Sequence, residues 1–165
     1  MSIPQCKKCD ILSRYVDTIR VPVPSTVRFI VASPEVELLT KDARGCLPSS
    51  LPYAHAVSSI GSCAYVVAAF ATGDYHRLRD AVCDFMHQPY RLPLIPGGSQ
   101  AIDAGVAAGA YAGWLSGSGS SVLCVCDEAA ADVVADSMRA AFLAHHVSCT
   151  VRNVAADNEG VIVER

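Results

Sequence analysis

A chain of 165 residues that is 52% hydrophobic and 18% charged has enough apolar surface for one folded core and too much for a disordered tail. Its formal charge is -3 and its Lys and Arg are scattered, without the basic stripe of a nucleic-acid binder. No uninterrupted run of about 18 apolar residues suggests a membrane span. Lys7, Lys8, Asp10, Arg14 and Asp17 break up the first twenty residues, so no signal peptide is read there and the expected location is the cytoplasm.

Residues 11–20 (ILSRYVDTIR) and 26–32 (TVRFIVA) are rich in β-branched and aromatic side chains and read as two strands. Pro22 and Pro24 impose an irregular joint between them. The ELLTKDARGCLP stretch is predicted as a short helix carrying Leu38, Leu39 and Ala43, stopped by Gly45 and Pro48. Thr40 and Arg44 are four apart in it and share a face. From Pro52 to Ala71, Tyr53, Ala56, Val57, Ile60, Ala64, Val67 and Phe70 keep helical spacing, and the Ser62 to Phe70 part reads as buried. Gly73 ends that helix, and Asp74 is placed to cap another whose buried stripe is Leu78, Val82 and Phe85. Three prolines and two glycines in HQPYRLPLIPGG (87–98) predict a loop of fixed shape, and a small-residue helix follows over 99–110.

YAGWLS and SVLCVC are predicted strands joined by the Gly117-Ser118-Gly119-Ser120 turn. Asp127 caps a helix in which Ala131, Val134, Ala135, Met138, Ala141 and Phe142 face inward. VSCTVRNVA and VIVE close the chain as two strands about the Asp157 to Gly160 turn. Strand, helices, strand, strand, helix, strand is the order of an α+β fold, a ferredoxin-like split βαβ sandwich with an antiparallel sheet and helices on one face.

Eight cysteines include a CxxC at Cys6 and Cys9 and a CxC at Cys124 and Cys126. A structural zinc site wants four ligands, commonly two knuckles or a knuckle with two histidines, whereas VLCVC reads as a strand. Buried free thiols acting as small hydrophobes account for Cys124 and Cys126 and for Cys46, Cys63, Cys83 and Cys149, and no metal site is expected.

The Leu115 to Ser121 stretch (LSGSGSS) supports two readings equally: a nest of backbone N–H groups for an anion, or a hairpin turn using the same glycines. Arg91 lies between Pro89 and Pro93, and Arg44 closes the short helix; a guanidinium held in place clasps a carboxylate through paired hydrogen bonds. Taken singly, each arginine reads as a solvated surface charge. Thr40 could offer a hydroxyl to the same ligand or bond its own backbone. His87 stands beside the Arg91 segment and could shape such a site. No Ser-His-Asp arrangement, HExxH or phosphate-binding P-loop is present, and no catalytic side chain is identified.

TKDARGCLP (40–48), HQPYRLPLIPGG (87–98) and AGWLSGSGSSV (112–122), followed by the closing helix and DNEGVIVE, together resemble the homoserine kinases of the GHMP small-molecule kinases. The likeness runs from about Val21 to the C terminus and is to the C-terminal half only; residues 1–10 match nothing in the family. It implies a GHMP-kinase C-terminal domain over 26–165, with 1–25 a remnant (strand and joint) of the N-terminal lobe. It implies transfer of a phosphoryl group from Mg-ATP to L-homoserine, a step toward threonine, with Arg44 and Arg91 on the substrate carboxylate. Thr40 would stand near the transferred group, and Gly117, Ser118, Gly119, Ser120 and Ser121 near the phosphates and substrate. Ser120 occupies the place of the family's usual Pro. The Gly-rich ATP loop and Mg-binding acid belong to the other half, so this chain is expected to be inactive alone. Its expected partners are L-homoserine and either an N-terminal kinase half or a second copy through the exposed sheet, with no nucleic acid or membrane. Two further readings are a non-catalytic amino-acid-binding module and a fragment of another GHMP kinase.

Overall fold

The structure, a computed structural model, describes residues 19–36 and 45–160. Four antiparallel strands, β1 (Val27–Pro34), β2 (Ala112–Leu115), β3 (Val122–Asp127) and β4 (Cys149–Ala155), form one open sheet in the order β2-β3-β1-β4. In register, Ile30 stands opposite Cys124 of β3 and Asn153 of β4, and Leu115 opposite Val122. The helices are α1 (Tyr53–Thr72), α2 (Leu78–Ala81), α3 (Gln88–Arg91), α4 (Gly98–Ala107) and α5 (Ala131–Ala144). This is the expected α+β sandwich.

Alternate residues of a strand share a face. Ile30, Ala32, Val122, Cys124 and Cys126 therefore meet one layer of helices, where Ile102 of α4 and Val134, Met138 and Phe142 of α5 complete the main core. The four-residue spacing along α5 is what brings its three large side chains to one stripe. Asp127 accepts a hydrogen bond from Ala129 N at 3.0 Å and so caps the turn that leads into α5. The α4 layer lies very close to the sheet: a Cβ on Gly105 would fall 2.6 Å from Cys124 Sγ and 3.1 Å from Met138 Cγ.

A second, smaller cluster forms on the other face, where Val27, Ala112 and Val125 meet Ala69, Tyr75 and Leu78. Phe29 and Phe70 stack at 6.3 Å, and Phe70 meets Tyr75 edge-on at 5.5 Å. The sandwich's single helical layer is thus joined by the end of α1 and by residues 75–78.

Several local expectations are corrected. The helix expected to be buried, α1, has only Ser59 and Ala69 buried, while Tyr53 is 86% exposed and Ile60 64%. None of its twenty residues carries a formal charge, and by length and composition alone it could cross a membrane, which counting uninterrupted apolar runs overlooks. The helix after Asp74 is a 3-10 turn followed by α2, and it stops at Ala81, short of Val82 and Phe85. The Asp74 carboxylate pairs with Arg77 at 2.6 Å instead of capping. The 87–98 segment contains α3 and a 3-10 turn, Leu92–Leu94, because Pro89 falls in the first turn of α3, where its missing N–H is not needed.

Cys124 and Cys126 are buried as expected, and burial pushes their thiols up to about 12 and about 11, so both are protonated at neutral pH. Cys63 and Cys83 are exposed instead of buried, since one is on the uncovered side of α1 and the other in the loop after α2. Residues 11–18 of the first expected strand, most of the ELLTKDARGCLP helix, the VIVE strand, Cys6 and Cys9 lie outside the described residues.

Candidate functional site

The connection between β2 and β3 is short because the strands pair up to Leu115 and Val122. Ser116 N donates to Ser121 O at 2.9 Å and Gly119 N to Ser116 O at 3.1 Å, which folds the six residues into a compact loop. Gly117 and Gly119 have φ of 60° and 91°, the left-handed region that glycine enters without a Cβ penalty. The N–H groups of Gly117, Ser118, Ser120 and Ser121 donate to no described residue. The hairpin reading is what the geometry shows: a short β2-β3 connection whose remaining backbone donors have no partner among the described residues.

Two hydroxyls fasten this turn to β1. Ser121 Oγ and Ser33 Oγ share a hydrogen bond at 2.8 Å, and Ser120 Oγ donates to Val36 O at 2.9 Å. Val36 is four residues before Thr40 in the chain; Thr40 and Arg44 themselves lie outside the described residues.

Arg91 comes to the turn from α3, with its Nη1 3.5 Å from Gly117 O. What sets α3 there begins with Asp84. Its Oδ2 accepts from Gln88 N at 2.6 Å and His87 N at 3.0 Å, and its Oδ1 from Met86 N at 2.8 Å. These satisfy N–H groups that a helix start leaves open. Partial burial works against the charged carboxyl, but the three backbone donors and the nearby His87 prevail and hold the Asp84 pKa below the ordinary carboxylate value. His87 Nε2 is 3.5 Å from Asp84 Oδ2, and His87 Nδ1 is buried without a hydrogen-bond partner. The Gln88 side chain accepts from Leu115 N at 2.7 Å, at the end of the strand that feeds the turn.

Asp84, Gln88 and Ser33 were not singled out by the sequence. Asp84 had a readable signal, an Asp shortly before a Gln-Pro helix start. The bond of Gln88 to Leu115 spans 27 residues and had none. Beside these residues a cavity of about 420 Å³ opens between α1 and the 81–88 segment, walled by Val66, Val67, Trp114 and His87 among others. Among the described residues, no group of His, Cys, Asp and Glu has the arrangement to hold a metal ion.

The four-stranded antiparallel sheet with its helical layer is an architecture shared with a solved kinase structure. Residues 66–144, a little under half of this chain, match the family described as GHMP kinases C terminal. The homoserine kinase of Moorella thermoacetica is 40% identical over 144 residues, covering 87% of this chain and 48% of that protein. The homoserine kinase of Carboxydothermus hydrogenoformans is 35% identical over 144 residues, 87% of this chain and 46% of that protein. The crystal structure of homoserine kinase from Cytophaga hutchinsonii matches with a TM-score of 0.82 at 30% identity, over 87% of this chain and 46% of that one. The chain spans about half the length of these relatives.

Proposed function

We propose that this chain is the substrate-holding part of a homoserine kinase, residues 26–165 forming its C-terminal domain and residues 1–25 a strand and joint of the neighbouring lobe. The reaction moves the γ-phosphoryl group of ATP to the side-chain hydroxyl of L-homoserine. The hydroxyl oxygen bonds to phosphorus, the bond to the bridging oxygen breaks, ADP leaves, and the hydroxyl proton is released. The product, O-phospho-L-homoserine, leads toward threonine, and both reactants belong to the cytoplasm. The observation that carries this reading is the approach of Arg91 to the Gly117–Ser121 turn, 3.5 Å from Gly117 O, in a chain 40% identical to a homoserine kinase.

In this reading Arg91 and Arg44 grip the substrate carboxylate, and Thr40 stands by the hydroxyl and the transferred group. The N–H groups of Gly117, Ser118, Ser120 and Ser121 face phosphate or substrate oxygens. His87 shapes the wall behind Arg91. Phosphoryl transfer depends mostly on positioning and charge neutralisation, which arginines and backbone donors supply. Mg-ATP is held chiefly by the other half of the kinase. The apolar side of α1, exposed at Tyr53, Val57, Ile60 and Val67, is where that half docks. The chain alone therefore does not turn over.

Calorimetric titration with L-homoserine and with ATP, before and after adding a separately produced N-terminal half, tests this. Homoserine binding that Arg91→Ala weakens by about 1.5–3 kcal/mol is expected, as for hydrogen bonds to a charged group. Turnover should appear only in the mixture. An affinity untouched by Arg91→Ala removes Arg91 from the site. Homoserine binding that never leads to turnover with the other half leaves an amino-acid-binding module. Self-association of the chain, with no response to the added half, assigns the exposed face to a second copy.

A further inference from the structure

Among the described residues β2 is an edge strand, yet the N–H of Leu115 is not left open on its outer side. It donates to Gln88 Oε1 at 2.7 Å, a side chain filling the place of a strand. Gln88 is the first residue of α3, and its own N–H is fixed 2.6 Å from Asp84 Oδ2. One residue is therefore tied at both ends, by its backbone to Asp84 and by its side chain to β2. Arg91 follows three positions later, so its side chain rises from the same face of α3 as that of Gln88. Gly117, which Arg91 approaches, is two positions past Leu115. The Gln88–Leu115 bond and the Arg91–Gly117 contact thus run side by side from one turn of helix to one strand end.

We propose that Gln88 is a positioning residue: its side-chain carbonyl sets the stand of the Arg91 guanidinium against the Gly117–Ser121 turn. The consequence for substrate rests on the reading of Arg91 as a carboxylate ligand. A planar, two-pronged donor serves a carboxylate only when its origin and direction are fixed, and small misplacements are felt strongly in such sites. Gln88 fixes the origin. With its acceptor removed, α3 keeps the backbone bonds to Asp84 but loses its bond to β2, and the base of the Arg91 side chain shifts relative to the turn.

The test uses the 165-residue chain as wild type, Gln88→Met, Gln88→Glu and Arg91→Ala. Gln88→Met keeps the length and removes the acceptor; Gln88→Glu keeps an acceptor oxygen. Three quantities are read: hydrogen exchange at the Leu115 amide, the position and width of the Arg91 Nε–H resonance in the ligand-free chain, and the affinity for L-homoserine. Gln88→Met should accelerate Leu115 exchange and shift the Arg91 resonance, with an affinity loss of about tenfold, the scale of one hydrogen bond. Gln88→Glu should restore both resonance and affinity. Faster exchange at Leu115 with the Arg91 resonance unmoved overturns the proposal, because the bond then only covers a strand edge. If wild type binds no homoserine, or Arg91→Ala binds as well as wild type, the substrate reading fails while the resonance still decides the role of Gln88. Should Gln88→Met fail to fold, Gln88→Asn, too short to reach Leu115, replaces it with the same expectations.

Discussion

Asp84 shows how one carboxylate can organise a stretch of backbone. It gathers the N–H groups of Met86, His87 and Gln88, and the turn that carries Arg91 begins on it. Its pKa is lowered in the folded chain, despite partial burial, because those donors favour the ionised form. The stabilisation is therefore fully present above the unfolded carboxylate range, near pH 4, and is lost as the pH falls through the lower folded value. Asp84→Ala should lower the urea midpoint at pH 7 by the equivalent of about 1 kcal/mol, the usual loss for a helix cap. The gap from wild type should narrow at pH 3, and an equal gap at both pH values would mean that the charge contributes nothing. Residue by residue, the sequence was most informative where local chemistry decides. The Asp127 cap, the glycines of the 117–121 turn and the Asp157 turn, whose Oδ1 accepts from Glu159 N at 2.8 Å, could all be read from neighbouring positions. Gln88 could not, since its partner is set by how α3 lands on β2.

At the scale of elements, β1, β3 and β4 were legible as runs rich in β-branched and apolar residues, and α5 from its repeated stripe. Alternation placed Cys124 and Cys126 on one face, and a four-residue stripe placed Val134, Met138 and Phe142. Short pieces were not legible. A four-residue helix such as α2 or α3 has too few positions to show a period, and its limits follow from caps and proline placement. The packing of α4 on the sheet adds a constraint that hydrophobic pattern does not show. Gly105 approaches Cys124 and Met138 so closely that a methyl group has no room, and Gly113 meets the same thiol from β2. Gly105→Ala should destabilise the fold by about 1–3 kcal/mol, as overpacking does, although alanine favours helices. Chemical denaturation measures this; a midpoint equal to or above that of wild type would show that α4 moves aside without loss.

The whole molecule is asymmetric. One face of the sheet is sealed by α4 and α5, whereas the other is only partly covered and α1 stands with most of its apolar side in the open. Periodicity predicted α1 but could not tell what covers it, because the same stripe serves a core, a partner or a bilayer. In the proposed function that face belongs to the other half of a kinase. Ile60→Lys should then leave the unfolding free energy of the chain within about 0.5 kcal/mol, as for other exposed sites. It should also abolish the turnover regained on mixing with the N-terminal half. A mixture that remains as active as wild type would take α1 out of the contact. A further consequence follows from a small clasp at one corner. Asn158 accepts from Val23 N at 2.9 Å and donates to Val23 O at 2.8 Å, so positions 135 residues apart in the chain are held together like the two ends of a buckle. The domain is thereby almost a closed ring in space. Splicing that junction and opening the chain at a surface loop would keep the β2-β3-β1-β4 order of the described strands.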